Sequence, residues 1–517
     1  MKLTIGPNEI MKGWGTDFST SNNIGIEAGQ GKYSKSTAIN PFTYGRIGQI
    51  AAGEAYSNIA DGSERVTALP LNGVVNSFGT ALIILENGTV VTVASDAVQA
   101  TQRVTAVAGT TVHTGHTGSS PDIGGEDILV YKNATNEYVL YSWNDDTDGD
   151  IGRMLYDTSS PDDDWWSDAA TSGEVLTKGV AHKMCIGPDG NVYVTNGQYI
   201  AKLDITTSTV TMAALNLGTG FIATDIKTFR NQLVIVGYKA TTFISGFSNS
   251  ESRAWFWDTT SPFHNQMFNL QDNYVSAILA HDNLYVFTNG RSQTTKVKFF
   301  NGNGFETIFE SAQIGSYPKP GSVDIFQNMV HYAPNGGSQI FCLDGKSFHY
   351  RSTLSSATDI GMVKNLYLNV LYVGKRVSST YTIEKLTYDT YVVDAKFLDS
   401  IRSLPYKSTV KKIIVYFSQF GSGASLLISM FRNYATAFTG ESGADDLLTT
   451  ASPSQTINST NFPNIATDLT AELTVGNGFN LNTFVMMLKF NHASVSNTAA
   501  IVRKVEIYYD TPQKVDN

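Results

Sequence analysis

Asp189-Gly190-Asn191-Val192-Tyr193-Val194-Thr195-Asn196-Gly197-Gln198-Tyr199-Ile200-Ala201-Lys202-Leu203 contains two short apolar runs, each entered through a turn. β-Branched and aromatic residues fill the runs, and Asn-Gly between them is a strong hairpin signal. The same layout recurs along the chain. It is seen at Ala81-Leu82-Ile83-Ile84-Leu85 and Tyr138-Val139-Leu140-Tyr141, then at Leu233-Val234-Ile235-Val236 and Leu284-Tyr285-Val286-Phe287. Met329-Val330-His331-Tyr332 and Leu371-Tyr372-Val373 continue it. From 192 through 233, 284 and 329 to 371 the steps are 41, 51, 45 and 42 residues; the two earlier steps, 82 to 138 and 138 to 192, are 56 and 54. A four-stranded propeller blade occupies about 40 to 50 residues, so the spacing predicts a β-propeller of about seven blades, with six and eight left open. No repeat carries the Gly-His and Trp-Asp signature of the WD type, so the expectation rests on spacing.

Composition agrees. Of the 517 residues 42% are hydrophobic and 16% charged, against about 25% charged in an average soluble domain. Thr, Ser, Asn and 45 Gly replace the missing charge; these are residues of strands and turns rather than of exposed helix faces. The chain reads as all-β, with two or three domains expected at this length. Mean hydropathy is -0.11, and no apolar run approaches the ~20 residues of a membrane-spanning helix. A net charge of -10 argues against a general nucleic-acid-binding surface. The first residues lack the apolar h-region of a secretory signal. Two cysteines, Cys185 and Cys342, each sit inside an apolar run, so buried free thiols are expected and no disulfide framework.

Three regions follow. Residues 1–65 have poor periodicity and many Gly, Ser and Asn, and are expected to form an irregular N-terminal arm that lies on a neighbouring subunit. Residues 66–390 hold the propeller. Residues 391–517 carry longer strands at Lys411–Phe417, Ser425–Phe431, Phe484–Phe490 and Ile501–Tyr509, with a polar stretch from Ala435 to Asn464. That pattern predicts a C-terminal, jelly-roll-like β-sandwich. Deleting residues 1–60 is accordingly expected to abolish assembly and leave the propeller folded.

Candidate sites are few. Asn144-Asp145-Asp146-Thr147-Asp148-Gly149-Asp150-Ile151 has oxygen ligands at alternate positions and a glycine for the turn, as in the first half of a calcium loop. Asn144, Asp146 and Asp148 would ligate, making calcium the one candidate cofactor. Leu155 stands where a bidentate carboxylate belongs, and the alternative is a solvated acidic turn. Asp162-Asp163-Asp164-Trp165-Trp166 offers a glycan contact through Trp165 and Trp166, or an acidic loop whose rings cover a blade edge. Trp255-Phe256-Trp257-Asp258 alternates as a strand does, so its two indoles should face one way into packing. His113 and His116 lie in a Thr/Gly/Ser loop without a nearby third ligand. No phosphate loop, nucleophile elbow or zinc-protease helix occurs, and no catalytic residue is assigned.

Two segments resemble propeller-containing proteins of phage tails, the tail nozzle and tail hub class of short-tailed phages. One is Ser250-Glu251-Ser252-Arg253-Ala254-Trp255-Phe256-Trp257-Asp258. The other is Leu404-Pro405-Tyr406-Lys407 running into Lys411-Lys412-Ile413-Ile414-Val415-Tyr416-Phe417. The resemblance covers most of the chain in layout, with the Gly/Asn-rich arm, blades without a named motif and a C-terminal sandwich. It implies a non-catalytic virion protein, a homo-oligomeric ring around the DNA channel that contacts other tail or neck proteins. It also implies synthesis in a host cytoplasm and passage of DNA without specific binding. The alternative is a receptor- or glycan-binding phage propeller using loops around Trp143, Trp165 and Trp166; a polysaccharide hydrolase ranks behind both.

Overall fold

A computed structural model describes the chain from 124 to 511 apart from intervening stretches, the longest being 240–250 and 433–445. Before residue 124 it describes 2–5, 35–37, 39–40, 47–49, 51–58, 72–75, 80–84, 90–94 and 110–113. The described residues are all-β but for a five-residue helix, Trp165–Ala169, and a 3-10 turn at Pro320–Ser322.

Small antiparallel sheets succeed one another along the chain, and we number them in that order. Sheet 1 runs from Asn72–Val75 to Thr110–His113, and sheet 2 comprises Gly124–Lys132, Glu137–Asn144 and Gly149–Leu155. Sheet 3 runs from Met184–Ile186 to Thr209–Asn216, sheet 4 from Phe221–Phe229 to Gln266–Asn269, and sheet 5 from Tyr274–Ala280 to Phe305–Ile314. Sheet 6 runs from Val323–Phe326 to Ser347–Thr353, and sheet 7 joins Asp359–Tyr367, Val370–Val377 and Thr380–Tyr391 to Ala51–Asn58. Each run quoted from the sequence is the second strand of its sheet. The first strand of each sheet lies against the first strand of the next, and that of sheet 7 lies against that of sheet 1. This is a propeller-like arrangement, in which faces that no single small sheet can bury are buried between neighbours.

Side-chain alternation shows how the burial is shared. On Glu251–Trp257 of sheet 4, Trp255 and Trp257 enter one cluster with Tyr193, Ile200 and Leu215 of sheet 3. Ala254 and Phe256 enter the opposite one with Val275, Ile278 and Val286 of sheet 5. The two indoles face one way, as period-2 geometry requires. Turn chemistry fits too: Arg230 and Asn231, between Phe229 and Gln232, both have positive φ (47° and 61°), as a two-residue I′ hairpin demands. Cys185 and Cys342 are free and buried.

The expectation of an irregular stretch over 1–65 is corrected. Lys2–Ile5, Lys35–Thr37, Ile39–Asn40 and Ile47–Gln49 are strands of an 11-stranded sheet built otherwise from residues after 394. Ala51–Asn58 supplies the fourth strand of sheet 7, so the small-sheet region reaches back past residue 66. These strands escape a periodicity reading because most are two to four residues long, and their pairing comes from partners hundreds of residues away. In the large sheet the 23-residue strand Thr470–His492 pairs first with Arg402–Ser418 and then with Ala395–Leu398 and Ala424–Phe431. Both halves feed one core, including Ile413, Val415, Leu473, Val505 and Ile507 with Phe397, Leu426, Ile428, Leu488 and Phe490.

Candidate functional site

The acidic turn singled out in the sequence closes the hairpin between Glu137–Asn144 and Gly149–Leu155, where sheet 2 meets sheet 3. Asn144 is buried. Its Nδ2 donates to the Val180 carbonyl at 3.0 Å and to Glu126 Oε1 at 3.3 Å, and its Oδ1 accepts from Gly179 N at 3.1 Å. His182 Nε2 lies 3.2 Å from the same Oδ1, and Nδ1 lies 3.1 Å from the Thr195 carbonyl. Both ring nitrogens therefore face acceptors, and a neutral ring donates to one of the two. Burial holds the His182 pKa below its ordinary value, because charging a desolvated imidazole is unfavourable. Gly149 exchanges both backbone hydrogen bonds with Leu176, and a Cβ there would fall 2.1 Å from His182 Nε2. Only glycine lets the turn lie so close to the ring.

Asp150, the last acid of the stretch, is 5% exposed. Its Oδ1 accepts from Ile151 N at 2.7 Å and Ser167 N at 3.3 Å. Burial pushes its carboxyl up to about 7, with Asp164 adding repulsion. Lys183, also buried, pairs with Glu126 at 3.3 Å and donates to the Glu126 carbonyl. The junction is a network of matched donors and acceptors that holds the turn to sheet 3. Asp146 lies outside the described residues, and Asp148 is half-buried. Among the described residues no three His, Cys, Asp or Glu side chains are grouped to hold a metal. A calcium ion at this turn would have to take the Asn144 oxygen from Gly179 and His182.

Trp165 and Trp166, at the start of the short helix, are 6% and 0% exposed. They fill the core between sheets 2 and 3 with Leu140, Ile151, Met184 and Val192. The Arg153 guanidinium lies 4.2 Å from the Trp165 ring centroid and 4.4 Å from that of Tyr138. Trp143 is 3% exposed and stacks on Tyr141 at 5.6 Å. The glycan contact expected at these indoles is thus corrected: their faces are taken by the protein, and they cover the sheet instead. His113 ends a strand of sheet 1, and His116 lies outside the described residues.

Sequence reasoning missed a recurring carboxylate clip. Asp127, Asp225 and Asp324 each accept, through Oδ1, the N–H of the isoleucine that follows, at 2.9, 2.9 and 2.8 Å. Through Oδ2 they reach the first strand of the next sheet, at Met184 N (2.8 Å), Ile278 N (2.9 Å) and Asn365 N (2.8 Å). The clips tie sheet 2 to 3, 4 to 5 and 6 to 7. The signal was an Asp-Ile pair recurring at 127, 225 and 324, steps of 98 and 99 residues, or two small sheets. A second polar node holds Asp272: Thr288 Oγ1 donates at 2.7 Å, and Lys298 and Lys296 pair at 2.9 and 3.2 Å. Burial pushes that carboxyl up, but these partners outweigh it and hold it below the usual range.

No family model and no curated protein matches the chain. Among the solved structures it resembles is the extracellular domain of a hybrid two-component system from B. thetaiotaomicron. That structure aligns at a TM-score of 0.42 and 11% identity, over 72% of this chain and 44% of its own. A second such extracellular domain from that organism aligns at 0.41 and 13%, over 68% and 44%. A chain from a mitotic checkpoint complex aligns at 0.41 and 10%, over 66% and 95%. The chain spans less than half the length of the first two.

Proposed function

We propose that this chain is a structural, non-catalytic subunit of a bacteriophage tail or neck, and that copies of it form a ring around the channel through which DNA passes. The small sheets are read as the seven blades of one propeller, and the large sheet as a β-sandwich whose halves share the Thr470–His492 strand. The observation that carries the reading is where the buried polar groups go. The Asp127, Asp225 and Asp324 carboxylates, the Asn144–His182 junction and the Asp272 node all join one sheet to another. Such wiring suits a rigid scaffold. The net charge of -10 suits a channel wall that repels passing DNA instead of holding it. Partners would be further copies and adjoining virion proteins, and the site of action the virion.

The test is the solution mass of the purified protein by size exclusion with light scattering, with imaging of the peak. A discrete closed ring with an axial opening is the expected outcome. A strict monomer at every concentration, with no rings in the images, overturns the ring.

A further inference from the structure

The strand Lys2–Ile5 occupies an edge of the large sheet that a second copy could fill equally well. It pairs antiparallel with Ile501–Asp510, in the register Lys2 to Tyr508, Leu3 to Ile507, Thr4 to Glu506 and Ile5 to Val505. The other edge of Ile501–Asp510 belongs to Arg402–Ser418, and Ile47–Gln49 takes a separate part of the same free edge at Ile501 and Val502. Four residues thus fit a prepared slot. Ile5 is 2% exposed in the large-sheet core, with Leu3 packed beside it. On the opposite face Lys2 Nζ pairs with Glu506 Oε1 at 3.0 Å. Glu506 is held from three further sides, by Lys504 at 2.9 Å, Tyr508 at 3.0 Å and Tyr416 at 3.1 Å. The key is an alternation of two apolar side chains inward and one cation outward, and all its partners are set by the large sheet.

The next described strand begins at Lys35, so 29 residues separate it from Ile5. Chain of that length reaches up to roughly 100 Å when extended, far enough to deliver Lys2–Ile5 to a neighbouring molecule. Exchange of an identical element needs no new contact and is a known low-cost route to assembly. Which copy is served then depends on which edge the connection holds at higher effective concentration. We infer that Lys2–Ile5 is an exchangeable strand, donated to the Ile501–Asp510 edge of a second copy of this chain. The inference rests on the ring reading above, since a ring places neighbouring edges at fixed short range.

Cysteine crosslinking tests it without disturbing the fold. Residues opposed on an antiparallel ladder have Cα atoms about 4.5 to 5.5 Å apart, inside the range a disulfide spans, and both native cysteines are buried. Chains carrying only Lys2→Cys and chains carrying only Tyr508→Cys, with different tags, are co-expressed, purified together and oxidised. Exchange predicts a covalent heterodimer carrying both tags as the main product. The double variant Lys2→Cys/Tyr508→Cys serves as the control for geometry. If the double variant closes within one chain while the mixture gives no heterodimer, exchange is wrong. Light scattering on the same samples separates the two ideas: an oligomer without heterodimer leaves the ring standing and removes exchange, and a monomer removes both.

Discussion

Asp150 carries its proton higher than any exposed aspartate would, and the consequence for stability has a definite sign. Its carboxyl is held near 7 in the folded chain against 3.8 for the free group, chiefly by burial. Below about pH 4 both states hold the proton and the contribution to stability is complete. As pH rises toward 7 the unfolded chain releases its proton first, so folding weakens by up to about 1.4 kcal/mol per pH unit across that window. Asp150→Asn keeps an acceptor oxygen toward Ile151 and Ser167 and abolishes the titration. The variant is expected to melt higher than the parent at pH 8 and to match it at pH 4 in calorimetry; an equal loss at both pH values would show that the carboxyl does not govern the effect. One residue earlier, Gly149→Ala places a methyl group 2.1 Å from His182 Nε2. Overpacking of that kind typically costs about 1 to 3 kcal/mol. In urea titration Gly149→Ala combined with His182→Ala should be less destabilised than the two single losses added together, because the clash needs both partners. Additive losses would mean that the ring is not the obstacle.

Between elements, the clips decide how the sheets are joined. Asp225 satisfies Ile226 N on its own strand and Ile278 N on the next sheet. Asp225→Ala strands two buried donors, each worth about 1 to 3 kcal/mol, so a loss of about 2 to 4 kcal/mol is expected in denaturant unfolding. Asp324→Ala should behave alike. Asp157→Ala, at an exposed turn where the carboxylate binds only Ser159, is the control and should change little. Similar losses at all three would deny the clips their special place. The clips also mark the limit of what is legible from residues alone. The second strands of the small sheets could be read directly, because β-branched and aromatic runs behind Asn and Asp turns announce themselves. So could the strands 402–418, 424–431 and 501–510, which alternate or run apolar over many residues. The clip was present as an Asp-Ile recurrence, but a bond from side chain to a neighbouring sheet has no local period to reveal it. The Asn144–Asp150 turn was found, and its use was not. A calcium loop and a buried glycine-histidine junction share the same residues, and only the position of His182, more than 30 residues on, separates them.

At the scale of the whole molecule the chain begins its described path in the large sheet, and after Gln49 it passes at once to Ala51–Asn58 of sheet 7. It then travels through sheets 1 to 7 and returns to the large sheet at Ala395. The small-sheet region is therefore an insertion between strands of the large sheet, and the segment before residue 60 serves both. Removing residues 1–60 cannot be the neutral trimming of an arm. It opens the Ile501–Asp510 edge, and it also strips the fourth strand from sheet 7, leaving Thr380–Tyr391 with one ladder partner fewer. Two truncations separate these effects. Deleting residues 1–50 spares Ala51–Asn58 and should leave the small sheets cooperative in thermal melts followed by near-ultraviolet circular dichroism. Deleting residues 1–60 should lower their transition by a further ~5 to 10 °C, since loss of a paired eight-residue strand removes several kcal/mol and each shifts a melt by about 2 to 4 °C in a domain of 150 to 250 residues. If the two truncations melt together, Ala51–Asn58 does not close sheet 7 in solution. Assembly gives the complementary readout: because Lys2–Ile5 is absent from both, both should lose the oligomer even though only the longer deletion weakens the small sheets.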